Sequence, residues 1–458
     1  MRAACIATVV VLSLASVIAC GSGDEGAGAE SGGPQGDKPD ATAPGDPPGG
    51  VPQLKDRSDR LPANSTSTTD VLFADLDGDG DKDVIWMNQD WPPQGQVQVL
   101  GSIDISINQH DATTFAPASL GISLDVIDGT YQFVRAVDVD KDGDLDLVVS
   151  RAARQRIEVA LLLNDGKGSF SKSDSFPSIV GETDGIVFGR VGIADIDGDG
   201  DPDIVVPTFA TVALDHSMPN VVLLNDGKGV FSKDPTKLPP INEPDDFTLS
   251  LALGDVNGDG KPDLFLGESE RQQRILINNG TGTFVDQTLD DGNGVPRIPE
   301  LKLRAYRSEL VDIDGDGDLD VVVVNDVASP TGNIKRSYAL FNDGKGHFTP
   351  QELVDIPANA YGVAIGDLNS DNLPDIVVTT SNDIPNQGLA VQFLLGTGNG
   401  HFKAMIVPGL GPWDIGAYGA AIDDLNGDKM GDVAVAVGAP NAAGKMSNLL
   451  FLSELAFK

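Results

Sequence analysis

The chain has 458 residues, 69 Asp and Glu against 31 Lys and Arg, a formal net charge of −38, and 40% hydrophobic residues. So acidic a surface repels nucleic acid and anionic lipid and attracts cations, while the apolar share is too high for an acidic disordered chain. Two cysteines leave no room for a disulfide framework.

Residues 1–19 read as a secretion signal, with Arg2 as the positive end and Ile6 to Ile18 as an apolar run too short for a mature membrane-spanning helix. The run ends in Ser16, Val17, Ile18, Ala19, Cys20 and Gly21, which resembles the bacterial lipobox. That resemblance implies cleavage before Cys20, diacylglycerol on its sulfur and acylation of its amine. Each buried lipid methylene contributes about 0.8 kcal/mol, so several chains on one cysteine hold a protein to a membrane. Cys5 leaves with the signal, so Cys20 has no cysteine to pair with. Gly21 stands where, by resemblance to enteric lipoproteins, an Asp signals inner-membrane retention; the outer membrane or cell surface is therefore expected. Residues 20–50, dominated after the cysteine by Gly, Pro, Ala and acids, form a flexible tether spanning roughly 30 Å.

Residues 51–458 contain seven copies of one acidic run. Numbered from its first Asp, slots 1, 3, 5 and 9 are Asp75, Asp77, Asp79 and Asp83 in repeat 1, and Asp138, Asp140, Asp142 and Asp146 in repeat 2. They are Asp195, Asp197, Asp199 and Asp203 in repeat 3, Asp255, Asn257, Asp259 and Asp263 in repeat 4, and Asp312, Asp314, Asp316 and Asp320 in repeat 5. Repeat 6 has Asp367, Asn369, Asp371 and Asp375, and repeat 7 has Asp424, Asn426, Asp428 and Asp432. Of these 28 slots, 25 are Asp, and every exception is an Asn in slot 3.

Short apolar stretches precede slot 1, as in Val71 to Ala74, and β-branched runs such as Ile204 to Val206 follow slot 9. A third run, as in Ala160 to Leu163, leads into Asn164-Asp165-Gly166, repeated at Asn225-Asp226-Gly227 and Asn342-Asp343-Gly344. Asn/Asp-Gly between apolar runs is a tight hairpin signal, and Phe170, Phe231 and Phe348 open a fourth strand. Four short strands per unit, with no helical periodicity, predict an all-β chain: a seven-bladed β-propeller of four-stranded antiparallel blades. Repeat 7 lacks residues for its fourth strand, so Val51 to Leu61 is expected to supply it. At this point the Asp-x-Asp-x-Asp-Gly-x-x-Asp run between two strands resembles the FG-GAP (VCBS) repeat of integrin α-subunit propellers, fungal propeller lectins and many bacterial exported proteins.

Ca²⁺ takes six to eight oxygen ligands, and alternate residues of a tight loop can aim them at one centre. Slots 1, 3, 5 and 9 supply side chains, and slot 7 supplies a backbone carbonyl. Its side chain is then unconstrained, as Asp81, Asp144, Asp201, Lys261, Asp318, Leu373 and Met430 indicate. Slot 6 is Gly five times, as a positive φ requires, with Asn372 and Lys429 as departures. An EF-hand would need a Glu at loop position 12 and flanking helices, and Mg²⁺ keeps more of its waters. Repeats 4, 6 and 7, with one carboxylate fewer, are expected to bind calcium more weakly, repeat 7 most weakly.

None of the common hydrolase, zinc-protease or nucleotide-binding motifs is present. His347 and His401 sit in hairpin turns, and His110 and His216 match no motif. Tyr131, Tyr306, Tyr361 and Tyr418 lie six or seven residues before slot 1, at the strand end opposite the acidic loop, with Arg135, Arg190, Arg304 and Arg307 nearby. The resemblance places ligand at that end in integrins, so these tyrosines are the candidate ligand face; plugging the channel mouth is the alternative. Trp91 and Trp413 are a further candidate sugar-stacking pair. The expected function is a calcium-stabilised, surface-anchored binding or adhesion module for glycan or protein. The resemblance also leaves open a polysaccharide lyase or dehydratase-type enzyme, or a purely structural surface lipoprotein.

Overall fold

The computed structural model describes residues 47–62, 67–89, 101–110, 112–118, 129–153, 156–177, 185–186, 189–210, 219–239, 248–325, 336–353, 356, 360–380, 390–405, 407, 416–438 and 448–454. The expected signal, Cys20 and most of the tether lie outside the described residues, as do Trp91, Trp413, His216 and the side chain of Tyr131. The described residues are all-β. Their one helical element is the 3₁₀ turn Ser58–Arg60, and no helix among them is long and apolar enough to cross a membrane.

Each acidic run connects an antiparallel hairpin. The residue before slot 1 pairs with slot 9, as in Ala74 with Asp83, Val137 with Asp146, Gly254 with Asp263 and Val311 with Asp320. In repeat 1 the four strands are Ser67–Ala74, Asp83–Gln89, Gly101–Asn108 and Phe115–Ala118. The same antiparallel order recurs in repeats 2, 3 and 6. Repeats 4 and 5 share one eight-stranded sheet. There the second strand of repeat 4, Asp263–Gln272, outruns its partner and pairs with the first strand of repeat 5, Lys302–Val311, at Ser269 with Arg304 and Gln272 with Lys302. A two-stranded ribbon pairs Gly185–Ile186, before the first strand of repeat 3, with Phe209–Ala210, between its second and third strands. Repeated antiparallel four-stranded units with almost no helix are consistent with a propeller-like repeat fold.

Repeat 7 recruits its fourth strand from the start of the domain, within the segment expected. Gln53–Asp56 pairs antiparallel with Leu449–Glu454, from Gln53 with Glu454 to Asp56 with Phe451. An ion pair between Lys55 and Glu454 closes its edge, and Leu54 is buried beneath it.

The second strands have both faces covered. Ile204, Val205 and Val206, like Val321 through Val324, are fully buried, which is why they read as continuous apolar runs instead of alternating ones. Among the described residues the core divides into seven apolar clusters, each shared between two repeats. Six join consecutive repeats; the seventh packs Val71, Phe73 and Trp86 of repeat 1 against Ala434, Ala436 and Leu450 of repeat 7.

Candidate metal centre

Backbone geometry shapes each acidic loop around its first carboxylate. In repeat 3 the two oxygens of Asp195 accept the N–H groups of Gly198 and Gly200 at 2.8 and 3.0 Å, and Asp199 accepts that of Asp201 at 2.9 Å. The same bonds recur around Asp75, Asp312 and Asp424. Slot 6 has the positive φ expected, 61° at Asn372 and 69° at Lys429 included. Slot 4 has it too, which the pattern of glycines did not single out because Lys141 (φ 61°) and Ser370 (φ 57°) occupy it in repeats 2 and 6.

Slots 1 and 3 leave oxygens without partners. Oδ1 of Asp77, Asp138, Asp140, Asp197 and Asn369 is buried with no hydrogen bond. Burial, and then the adjacent slot-5 carboxylate, push Asp77, Asp140, Asp197 and Asp314 above the usual carboxylate range. Buried acceptors next to like charges are costly unless a cation satisfies them, so the donor set fits a hard divalent ion. Ligand oxygens of Asp75, Asp77 and Asp83 lie within 4.8 Å of one another, as do those of Asp138, Asp140 and Asp146, of Asp195, Asp197 and Asp199, and of Asp312, Asp314 and Asp316. Repeats 4, 6 and 7, with Asn in slot 3, present no such three-carboxylate set among the described residues.

Slot 9 has a second task that its reading as a fourth ligand did not anticipate. Asp203 is fully buried; its Oδ2 accepts the slot-2 N–H of Ile196 at 2.9 Å, and its Oδ1 accepts that of Asn225, at the end of the third strand, at 2.8 Å. Asp83, Asp146, Asp263, Asp320, Asp375 and Asp432 do the same. Burial pushes these carboxyls up, against the pull of those two N–H groups, to about 6 in Asp146, Asp203 and Asp320 and about 7 in Asp83, Asp263, Asp375 and Asp432.

Slot-7 side chains turn away from the loop. Those of Asp144, Asp201, Lys261 and Asp318 lie over Gly166, Gly227, Gly280 and Gly344 of the hairpin turns, so closely that a β-carbon there would have to displace them. Asp81 instead meets His110 Nδ1 at 2.8 Å, and His110, Asp81 and Asp79 form a fifth set of clustered ligand atoms. The turn asparagine was also read too narrowly. Asn225 Nδ2 donates to the slot-2 carbonyl of Val139 in the preceding repeat at 2.8 Å. Asn164, Asn278 and Asn342 reach Leu76, Ile196 and Val256 alike, and Asn108 of repeat 1 reaches Leu425 of repeat 7.

At the other end of the first strands, Tyr306, Tyr361 and Tyr418 form a ladder, with ring centroids 4.7 and 5.6 Å apart. Each occupies the extra residue of a β-bulge, between Ala305 and Arg307, Ala360 and Gly362, and Ala417 and Gly419. Tyr131 does not share that position: the bulge of repeat 2 falls between Tyr131 and Phe133, and Tyr131 is one residue earlier, paired with Arg151. Three of the four nearby arginines are drawn into one ionic cluster, and Tyr306 acts electrostatically on Arg307 beside it. Arg135, Arg190 and Arg307 form a cluster with Asp70 and Glu309, in which Arg190 grips Asp70 at 2.6 and 3.2 Å and Glu309 at 3.0 Å.

The profile of the FG-GAP-like repeat matches residues 138–206, 210–266, 255–323, 312–378 and 367–435. Four of these spans begin at slot 1 of one repeat and end in the second strand of the next. No curated protein matches the sequence.

Proposed function

The chain belongs to the FG-GAP-like repeat family, and from that premise we propose that it is a calcium-stabilised, surface-anchored binding module built as a seven-bladed β-propeller. The cycle of seven shared apolar clusters supports a closed ring, as do the Asn108 bond from repeat 1 to repeat 7 and the fourth strand that Gln53–Asp56 gives to repeat 7. Buried, unpartnered slot-1 and slot-3 oxygens support calcium as the resident ion. Bound calcium supplies the positive charge that cancels repulsion among the loop carboxylates. The slot-1 and slot-5 side chains fold the loop, slot 3 offers its unpaired oxygen, and slot 9 ties the loop to the third strand. The lipobox-like Ser16 to Gly21 supports anchoring through Cys20.

The tyrosine ladder carries the binding reading. Three aromatic rings on successive repeats sit on bulges, which re-aim side chains and disrupt the local ladder. They lie at the opposite end of their strands from the acidic loops, about 20 Å away for six residues of strand. Rings with polar tips suit stacking on sugars and packing against protein side chains. The test is a glycan array and a pull-down on the calcium-loaded protein, followed by calorimetry on any hit. Tyr361→Ala should lose binding without a change in melting temperature. A hit bound equally by wild type and Tyr361→Ala would remove the ladder from the site.

A further inference from the structure

The arginine cluster is out of balance in a chain that otherwise carries a large excess of acid. Arg135, Arg190 and Arg307 face Asp70 and Glu309, three positive charges against two. They come from repeats 1, 2, 3 and 5, so the cluster is assembled by the fold and not by any one sheet. Asp70 is fully buried; burial opposes its ionisation, but Arg190, Arg307 and Arg135 outweigh this and hold its carboxyl below the usual range. Both Asp70 oxygens are already taken by Arg190, and Oδ2 also accepts the Val134 N–H at 3.4 Å.

Arg307 is left short of acceptors. Its side chain is 4% exposed, and its nearest carboxylate contact is Nη2 to Asp70 Oδ1 at 3.5 Å. The Phe133 ring covers one face of the guanidinium, 4.3 Å from ring centroid to Cζ. Its Nε and Nη1 are buried without a hydrogen-bond partner. A buried unpaired donor is destabilising, and more so when it is charged. Water would satisfy the donors yet leave the surplus charge, which in a low-dielectric interior is the larger cost. A cavity of about 640 Å³ reaches Arg190 and Glu309 of the cluster and extends along Val71, Val363 and Ile422 to Asp367.

We propose that Arg307 holds one small monovalent inorganic anion of halide size, which completes the charge balance of this cluster. The near-complete burial of Arg307 excludes a sugar or a peptide side chain from the position, although Tyr306 of the ladder is its chain neighbour and acts on it electrostatically. Crystals of the calcium-loaded mature protein grown in bromide instead of chloride test it by anomalous diffraction. The expected result is one ordered bromide in contact with Arg307; water density there, with bromide only on the outer surface, overturns the proposal. In solution, the ³⁵Cl NMR linewidth at constant ionic strength should broaden with wild type and with Tyr361→Ala, but not with Arg307→Gln. Equal broadening by wild type and a folded Arg307→Gln also overturns it. If Arg307→Gln does not fold, the wild-type bromide map decides alone.

Discussion

Asp197 and Asp203 stand six residues apart in repeat 3 and have different surroundings. Asp197 keeps a buried oxygen without a partner, while both oxygens of Asp203 accept backbone N–H groups from two other segments. In excess chelator, Asp203→Asn should destabilise by about 1–3 kcal/mol, because the amide replaces an acceptor with a donor. Asp197→Asn should leave the chelated protein as stable or more so, and lower stability only when calcium is present. Thermal melts of both variants in calcium and in chelator separate the two roles; equal losses in chelator would contradict them. Slots 3 and 9 are both written as Asp, so the acidic loop was legible in the sequence and the clamp that slot 9 makes was not. The positive φ of Lys141 and Ser370 was likewise hidden, since neither residue announces a left-handed backbone the way glycine does.

At the scale of strands and turns, the hairpin signals located the units well. Phe170, Phe231 and Phe348 each open a fourth strand, as the Asn-Asp-Gly turns implied. The turn asparagine's long-range bond was not legible, because its partner lies in another repeat about 86 residues away in sequence. Repeats 6 and 7 have Gly396 and Ser453 at that position. The joint between repeats 5 and 6 therefore lacks this bond, whereas the joint between 6 and 7 gains one from the Gly431 N–H to the Asp367 carbonyl at 2.8 Å. Asn225→Ala should cost about 1–3 kcal/mol by leaving the Val139 carbonyl buried and unpaired. Native-state hydrogen exchange should also show faster opening at strands 203–206 and 146–153, with repeat 5 unchanged. Exchange altered evenly over the whole chain would argue against a local latch.

For the whole molecule, the slot-9 carboxyls make stability depend on pH in opposite senses with and without cation. Their folded values, about 6 to 7, lie above the unfolded value of about 3.9. A raised value means that the stabilising contribution is complete below the unfolded value and is lost as pH rises through 6 to 7. In chelator, then, the melting temperature should rise from pH 8 to pH 5. A bound cation favours the ionised carboxylates and depresses their values, so in excess calcium the midpoint should fall over the same range. Two parallel pH series of thermal melts check the reversal; the same slope in both would mean that these loops hold no ion.

The pairing of Gln53–Asp56 with repeat 7 falls within the segment that the sequence pointed to, although its register was not legible. Leu54 packs in the cluster shared by repeats 6 and 7, so Leu54→Ala should destabilise the domain by about 2–5 kcal/mol in denaturant titrations. That strand directly follows the Gly- and Pro-rich residues 20–50, the last of which touch the sixth loop: the Gly49 N–H donates to Asp371 at 3.2 Å, and Asn369 donates to the Gly50 carbonyl at 3.0 Å. On the proposed anchoring through Cys20, tension along residues 20–50 would enter the fold at loop 6 and the outermost strand of repeat 7, at the opposite end of the first strands from the tyrosine ladder. In the proposed ring the mooring line and the fourth strand of repeat 7 are one segment, so a pull strong enough to strip Gln53–Asp56 from Leu449–Glu454 would part the ring at that seam first.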